Sequence, residues 1–166
     1  LSHLSLGAKL HLRQPDAAGH CAAYAEIDLN GTSGFVPHAH IMPLGAGCDD
    51  WVAVAESLVG SPYRWGGRAS TGLDCSALVQ LALAVAGKPV PRDSGTQHDI
   101  GTALQGIDDL QRGDLVFWAG HVGIMQDGDR LLHSNAHHMA VASELLSVAS
   151  RRIAAIAGPI TALRRP

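Results

Sequence analysis

The sequence predicts an α+β chain, helices first and antiparallel strands after, with a smaller all-β segment in front. Three observations carry this. Leu78, Leu81, Ala82 and Val85 recur with the i, i+3, i+4, i+7 spacing of a helix packed on one face. From Leu115 onward, short runs of β-formers follow one another between turn residues. Near the start, Asn30-Gly31 separates two strand-like runs, a strong hairpin signal. At 166 residues and 46% apolar, the chain suffices for one domain plus a small module. A formal net charge of -3 gives no electrostatic case for binding nucleic acid. No run approaches the length of a membrane-spanning helix.

Residues 1–45 read as strands Ala8–Arg13, Cys21–Asp28 and Thr32–Val36, and Pro43–Gly47 as a linker. The second region, 49–166, opens with Asp49 or Asp50 capping a helix that carries Trp51, Val52, Ala55, Leu58 and Val59 and is closed by Gly60. A glycine-rich loop, Tyr63 to Gly67, leads to a helix that starts at Cys75 under an Asp74 cap and ends before Gly87 and Pro89. Ser94 and Gln97 fit a capping box opening a short helix. Strands are expected at Leu115–Trp118, His121–Gln126, Arg130–Ser134, Met139–Ala142 and Arg152–Ala157.

Cys75 is the reactive group best placed by this reading. In the first turn of a helix, the unpaired N–H groups and the positive end of the dipole favour the thiolate, with Asp74 opposing in part. Cys21, Cys48 and Cys75 have no metal or redox spacing; a Cys21–Cys48 bridge would leave Cys75 free, but nothing in the sequence requires it, and three reduced thiols are expected, which mildly favours a reducing compartment. Of the ten histidines, His38, His40, His137 and His138 lack the acidic or thiol partners at set spacing that zinc requires, so no metal is expected.

Three stretches taken together carry a resemblance: Ser61-Pro62-Tyr63-Arg64-Trp65-Gly66-Gly67, then Asp74-Cys75-Ser76, then His121-Val122-Gly123-Ile124 leading into Leu131-Leu132-His133. In this order they resemble the NlpC/P60 family of cell-wall cysteine peptidases, over about residues 50–158. The resemblance implies a papain-like fold, no cofactor, Cys75 as nucleophile, His121 as general base, His133 orienting it, and Tyr63 assisting the oxyanion. It further implies cleavage of the γ-D-glutamyl–diamino acid amide of peptidoglycan peptides in a bacterial protein; a cytoplasmic place is favoured, and a periplasmic or secreted one stays open if a signal peptide has been removed. Arg92-Asp93-Ser94-x-x-Gln97 is similar to the subgroup that trims free muropeptides, in which an acidic residue and its neighbouring Ser hold the substrate's terminal amine; Asp93 and Ser94 take those roles here. Ser76, Asp74 and Trp65 complete the expected substrate-binding residues around the nucleophile. Gly34-Phe35-Val36-Pro37 resembles the end of a bacterial SH3-like barrel already under way at Leu1, from which Tyr24 and Glu26 would reach the substrate; sequence upstream is expected. Ala77 departs from the family, which prefers Gly there. Two alternatives stay open: a Cys/His amidase or acyltransferase acting on another amide or ester, and a non-catalytic binder of wall peptides.

If His121 and His133 work together, their side chains must leave one face of a hairpin. A two-residue Asp127-Gly128 turn would place His121 opposite Ser134 and send His133 to the other face. A three-residue loop, Asp127 to Asp129, pairs Gln126 with Arg130 and brings Gly123 opposite His133. An odd-length loop is therefore predicted, with Gly128 or a neighbour at positive φ, or else a β-bulge.

Overall fold

The computed structural model describes residues 3–13 and 23–166. The chain divides into two compact units, Leu1–Ala46 and Gly47–Pro166. In the front unit, β1 (His11–Leu12), β2 (Tyr24–Leu29) and β3 (Thr32–Pro37) form an antiparallel sheet in that order. Leu29 pairs with Thr32 across the Asn30-Gly31 turn, in which both residues have positive φ, 54° and 89°, as a tight hairpin of matching twist requires. Ala25 and Ile27 point inward from β2. The beginning of the expected second strand, including Cys21, lies outside the described residues.

The second unit begins with α1 (Trp51–Glu56), whose N-cap is Asp50 accepting from the Ala53 N–H at 3.3 Å. A two-stranded ribbon, β4 (Arg68–Ala69) and β5 (Gly72–Leu73), then delivers the chain to α2 (Cys75–Val85). After the short α3 (Ser94–Gln97) come β6 (Thr102–Ala103), β7 (Leu115–Trp118), β8 (His121–Met125), β9 (Arg130–Asn135), β10 (Ala140–Leu145), α4 (Leu146–Ala157) and β11 (Ala162–Arg165). The main sheet runs β10-β9-β8-β7-β11-β6. Alternation along the strands gives it two apolar faces. On one face α2 packs against β8 and β9. On the other, Val116, Trp118, Met125, Leu131 and Leu163 pack with Leu146 and Ala149 of α4.

Three expectations need correction. Arg152–Ala157 is the second half of α4, not a strand: alanine-rich sequence favours helix, and Leu146, Ala149 and Ile153 turn toward the core together at helical spacing. The edge strand β10 runs beyond Ala142 to Leu145 and begins after Met139, which stands at φ 53°. Ser94 makes no capping box, because Asp93 occupies the N-cap and the Gln97 side chain turns inward to the Ser76 and Pro91 carbonyls, at 3.0 and 2.8 Å.

Candidate active site

The β8–β9 hairpin has the register that counting requires: Ile124 pairs with Leu132 and Met125 with Leu131, and Gln126 N–H donates to the Arg130 carbonyl at 2.8 Å. The loop is the three residues Asp127 to Asp129. The expected positive φ is absent from it; instead the Asp127 carboxylate accepts from the Asp129 and Arg130 N–H groups, both at 2.8 Å, which closes the turn through a side chain. Both histidines therefore share a face, and His121 Nε2 lies 2.8 Å from His133 Nδ1. His133 is fully buried, and its other nitrogen, Nε2, lies 2.8 Å from Glu144 Oε1. Arg152 donates to both oxygens of Glu144, reaching Oε2 at 2.8 Å.

The pairing of β8 with β9 stops at Ile124, and just beyond it the Val122 N–H is near enough to the Cys75 sulfur to favour its thiolate. The nucleophile candidate thus meets the backbone of the residue next to His121. Tyr63 is brought to the same place by a bridge to Leu73 and by its N–H on the Met139 carbonyl at 2.9 Å. Burial, together with the nearby Cys75 and Asp74, raises its phenol above the ordinary range.

The electrostatics at Cys75 correct the sequence expectation. The side chain is only 9% exposed, and this burial pushes the thiol up despite the N–H groups of Val122, Ser76 and Cys75 itself, which favour the thiolate. Burial likewise drives His121 and His133 below the ordinary histidine range. Both shifts favour the uncharged forms, a thiol at Cys75 and a neutral imidazole at His121.

Asp74 does cap α2, through the Ala77 N–H at 2.8 Å, but it does more. It accepts from Arg92 on both oxygens, at 2.9 and 2.6 Å, from Ser76 Oγ at 3.1 Å and from the Gly66 N–H at 3.0 Å. Although burial opposes it, these partners hold the carboxyl below its usual range. Ser76 also accepts from Arg92, at 2.8 Å. The carboxylate of Asp74 and the hydroxyl of Ser76 are thus committed to internal partners and fix the Tyr63–Gly67 loop to the start of α2. The loop is tight: a Cβ on Gly67 would stand 2.3 Å from the Gly72 carbonyl oxygen. Ala77 is fully buried within α2, which forms regularly without the family's glycine.

Trp65 is 83% exposed at the tip of this loop and so takes no part in the core. Asp93 is exposed with no capping bond, and Ser94 is half-buried in the first turn of α3. Tyr24, 49% exposed, and Glu26, which accepts from Ser33 Oγ at 2.5 Å, belong to the front unit. Cys48 and Cys75 are free thiols, and Cys21 lies outside the described residues. His133, His138 and Glu144 bring ligand atoms within 4.8 Å of one another, but Arg152 already occupies both Glu144 oxygens, so the set does not fit a dication. Among the described residues no helix is long and apolar enough to cross a membrane.

Glu144, Arg152 and Arg92 were missed as site residues. Carrying the strand alternation from Ala142 to Glu144 would have put a carboxylate on the face of His133. Arg92 stands in the sequence reading only as part of the Arg92-Asp93-Ser94 string.

Residues 60–155 match the NlpC/P60 family. The chain belongs to that family. A γ-D-glutamyl-L-lysine dipeptidyl-peptidase of Bacillus subtilis is 34% identical over 94 residues, covering 52% of this chain and 31% of that protein. A bifunctional muramidase/DL-endopeptidase of the same organism is 41% identical over 85 residues, 46% of this chain and 26% of that one. This NlpC/P60 chain thus spans about a third or less of the length of these curated relatives. The structure of an NlpC/P60 family protein from Bacillus cereus superposes with a TM-score of 0.77 at 23% identity, over 98% of this chain and 55% of that one, a likeness of fold.

Proposed function

We propose that this protein is a cysteine peptidase that cleaves the amide between γ-D-glutamate and a diamino acid in peptidoglycan peptides. The observation that carries the reading is the meeting of Cys75, at the start of α2, with a β8 whose His121 is bonded on its far nitrogen to His133. The family and the named activities of the two Bacillus subtilis relatives support it.

His121 takes the thiol proton as Cys75 Sγ attacks the amide carbonyl, forming a C–S bond and an oxyanion. N–H groups at the start of α2, with Tyr63, hold the developing charge. Collapse breaks the C–N bond and the leaving amine takes the proton from His121. Water then hydrolyses the thioester with His121 as base. Asp93 offers a carboxylate to the substrate's terminal ammonium, and Ser94 stands beside it. Trp65, exposed above the loop, supplies an apolar wall. We read the front unit as an SH3-like module; its antiparallel sheet with a tight hairpin supports this.

Incubation with L-Ala-γ-D-Glu-diamino acid tripeptide, free or N-acetylated, tests the proposal by mass spectrometry. Release of the diamino acid from the free peptide, and slower release from the capped one, is expected. Turnover of other amides or esters instead would make the protein an acyl-transfer enzyme of another substrate class. Binding without turnover would make it a wall-peptide binder.

A further inference from the structure

We propose that Glu144, clamped by Arg152, is a positioning residue that sets the tautomer of His133 and, through it, that of His121, so that His121 faces Cys75 with an unprotonated Nδ1. The inference rests on the reading of Cys75 and His121 as the working pair. It concerns residues outside that pair.

An ionised carboxylate can only accept hydrogen bonds. Glu144 Oε1 lies 2.8 Å from His133 Nε2, so this nitrogen carries the hydrogen. In a neutral imidazole the other nitrogen is then a bare acceptor. That nitrogen, Nδ1, lies 2.8 Å from His121 Nε2, which must therefore be the donor. One proton assignment at Glu144 thus propagates across two rings and leaves His121 Nδ1 with its lone pair free. Nδ1 is also the ring nitrogen nearer the backbone, and the N–H of the next residue, Val122, is near enough to the Cys75 sulfur to favour its thiolate.

The reverse relay would be inert. With hydrogen on His133 Nδ1, His121 Nε2 would accept and His121 Nδ1 would carry a proton, unable to take another from the thiol. That arrangement would also set the His133 Nε2 lone pair against the Glu144 carboxylate. The carboxylate excludes it by repulsion.

Arg152 keeps Glu144 in the required form. Against burial, its two N–H contacts and His133 draw the carboxyl down to about 2. The proton of His133 therefore stays on the ring, and when His121 becomes imidazolium its charge is offset through the relay without a proton reaching Glu144. His138 also faces this group, edge-on to His133 at 6.3 Å, with its own Nδ1 3.0 Å from Asn135 Oδ1. Glu144 comes from β10 and Arg152 from α4, so the docking of this helix on the sheet determines the protonation pattern of the base.

Nitrogen-15 NMR of the imidazoles reads the tautomers directly, and iodoacetamide alkylation of Cys75 reads the free base without any peptide substrate. In the wild type, His121 and His133 are expected to carry hydrogen on Nε2 alone. In Glu144→Gln, His121 with hydrogen on Nδ1 appears, and Cys75 alkylation slows by roughly 10- to 100-fold. In a His133→Asn background the same substitution adds nothing, since no ring remains for it to set. Should Glu144→Gln fail to fold, Glu144→Asp keeps the charge for Arg152 but withdraws it from His133, and a smaller change in the same direction is expected. Unchanged tautomers and alkylation in the glutamine or aspartate variant, or an equal loss with and without His133, would overturn the proposal. Because neither readout needs a peptide, inactivity toward wall peptides would count against the substrate reading alone.

Discussion

Cys75 owes its setting to neighbours that do not react. Asp74 and Arg92 hold the loop in front of it and the Val122 N–H favours its thiolate, so Cys75→Ala removes the proposed nucleophile without disturbing its frame. Turnover is expected to fall on the order of 10⁴-fold or more, with a melting midpoint close to wild type, alanine being the better helix former. Retained activity in a peptide assay would identify another nucleophile. At Asp93 the expected loss is selective: Asp93→Asn lowers kcat/KM for free-amine peptides by roughly 10-fold and leaves N-acetylated ones unchanged, since only an ion pair is removed. Equal losses on both would make Asp93 structural. Breaking the clamp is a different kind of damage. Arg92→Met leaves the largely buried Asp74 carboxylate without its cation, which should cost about 2 kcal/mol in denaturant unfolding, a value reduced for partial exposure.

Deleting Gly128 tests the hairpin as an element. The remaining two-residue turn slips the register by one position and sends His133 through the sheet, away from His121. Activity is expected to drop to the level of His133→Ala, with the strand signal in circular dichroism retained. Activity near wild type would mean that a bulge had absorbed the deletion. This register was legible from the sequence because a hairpin on which two side chains must meet allows only one parity of loop length. How the loop closes was not legible: Asp127 supplies side-chain acceptance where a positive φ was expected, and both solutions fit the same three residues. The start of α2 was legible from Asp74 and the apolar stripe. The second half of α4 was misread because Ile153 and Ile156 look like β-formers in a short window, whereas the core contact of Leu146 and Ala149 becomes visible only over a longer one. Arg152 lies in that second half, so its partnership with Glu144 depends on the helix. Burial of Cys75 escaped for a related reason: helix position is local, but desolvation depends on β8, about fifty residues further along the chain.

Over the whole molecule, the buried histidines give acid sensitivity a definite sign. His121 and His133 are neutral when folded, held by burial at about 3 and about 4 against 6.5 for an ordinary histidine. Below about pH 6.5 the unfolded chain therefore binds more protons than the folded one, and stability falls as pH drops toward those values. Glu144 and Asp74, both lowered, add stability above the usual carboxylate range that is lost in stronger acid. The melting midpoint should decline steadily from pH 7 to pH 4.5, with His121→Phe showing a shallower decline. A flat profile over that range would contradict buried neutral imidazoles.

Strand β11 lies between β7 and β6 inside the main sheet, and its Arg165 reaches the buried Asp114 of the segment leading into β7, at 2.7 Å. Removing residues 159–166 should therefore abolish cooperative unfolding, which calorimetry would show. In chain order Cys75, His121 and His133 all precede β11, so a chain made from its beginning contains them while the sheet still has a gap between β6 and β7. A growing chain therefore carries every reactive group before it has the frame that aligns them, and insertion of β11 acts as a timer, delaying the competence of the thiol until the strand that follows α4 has been added.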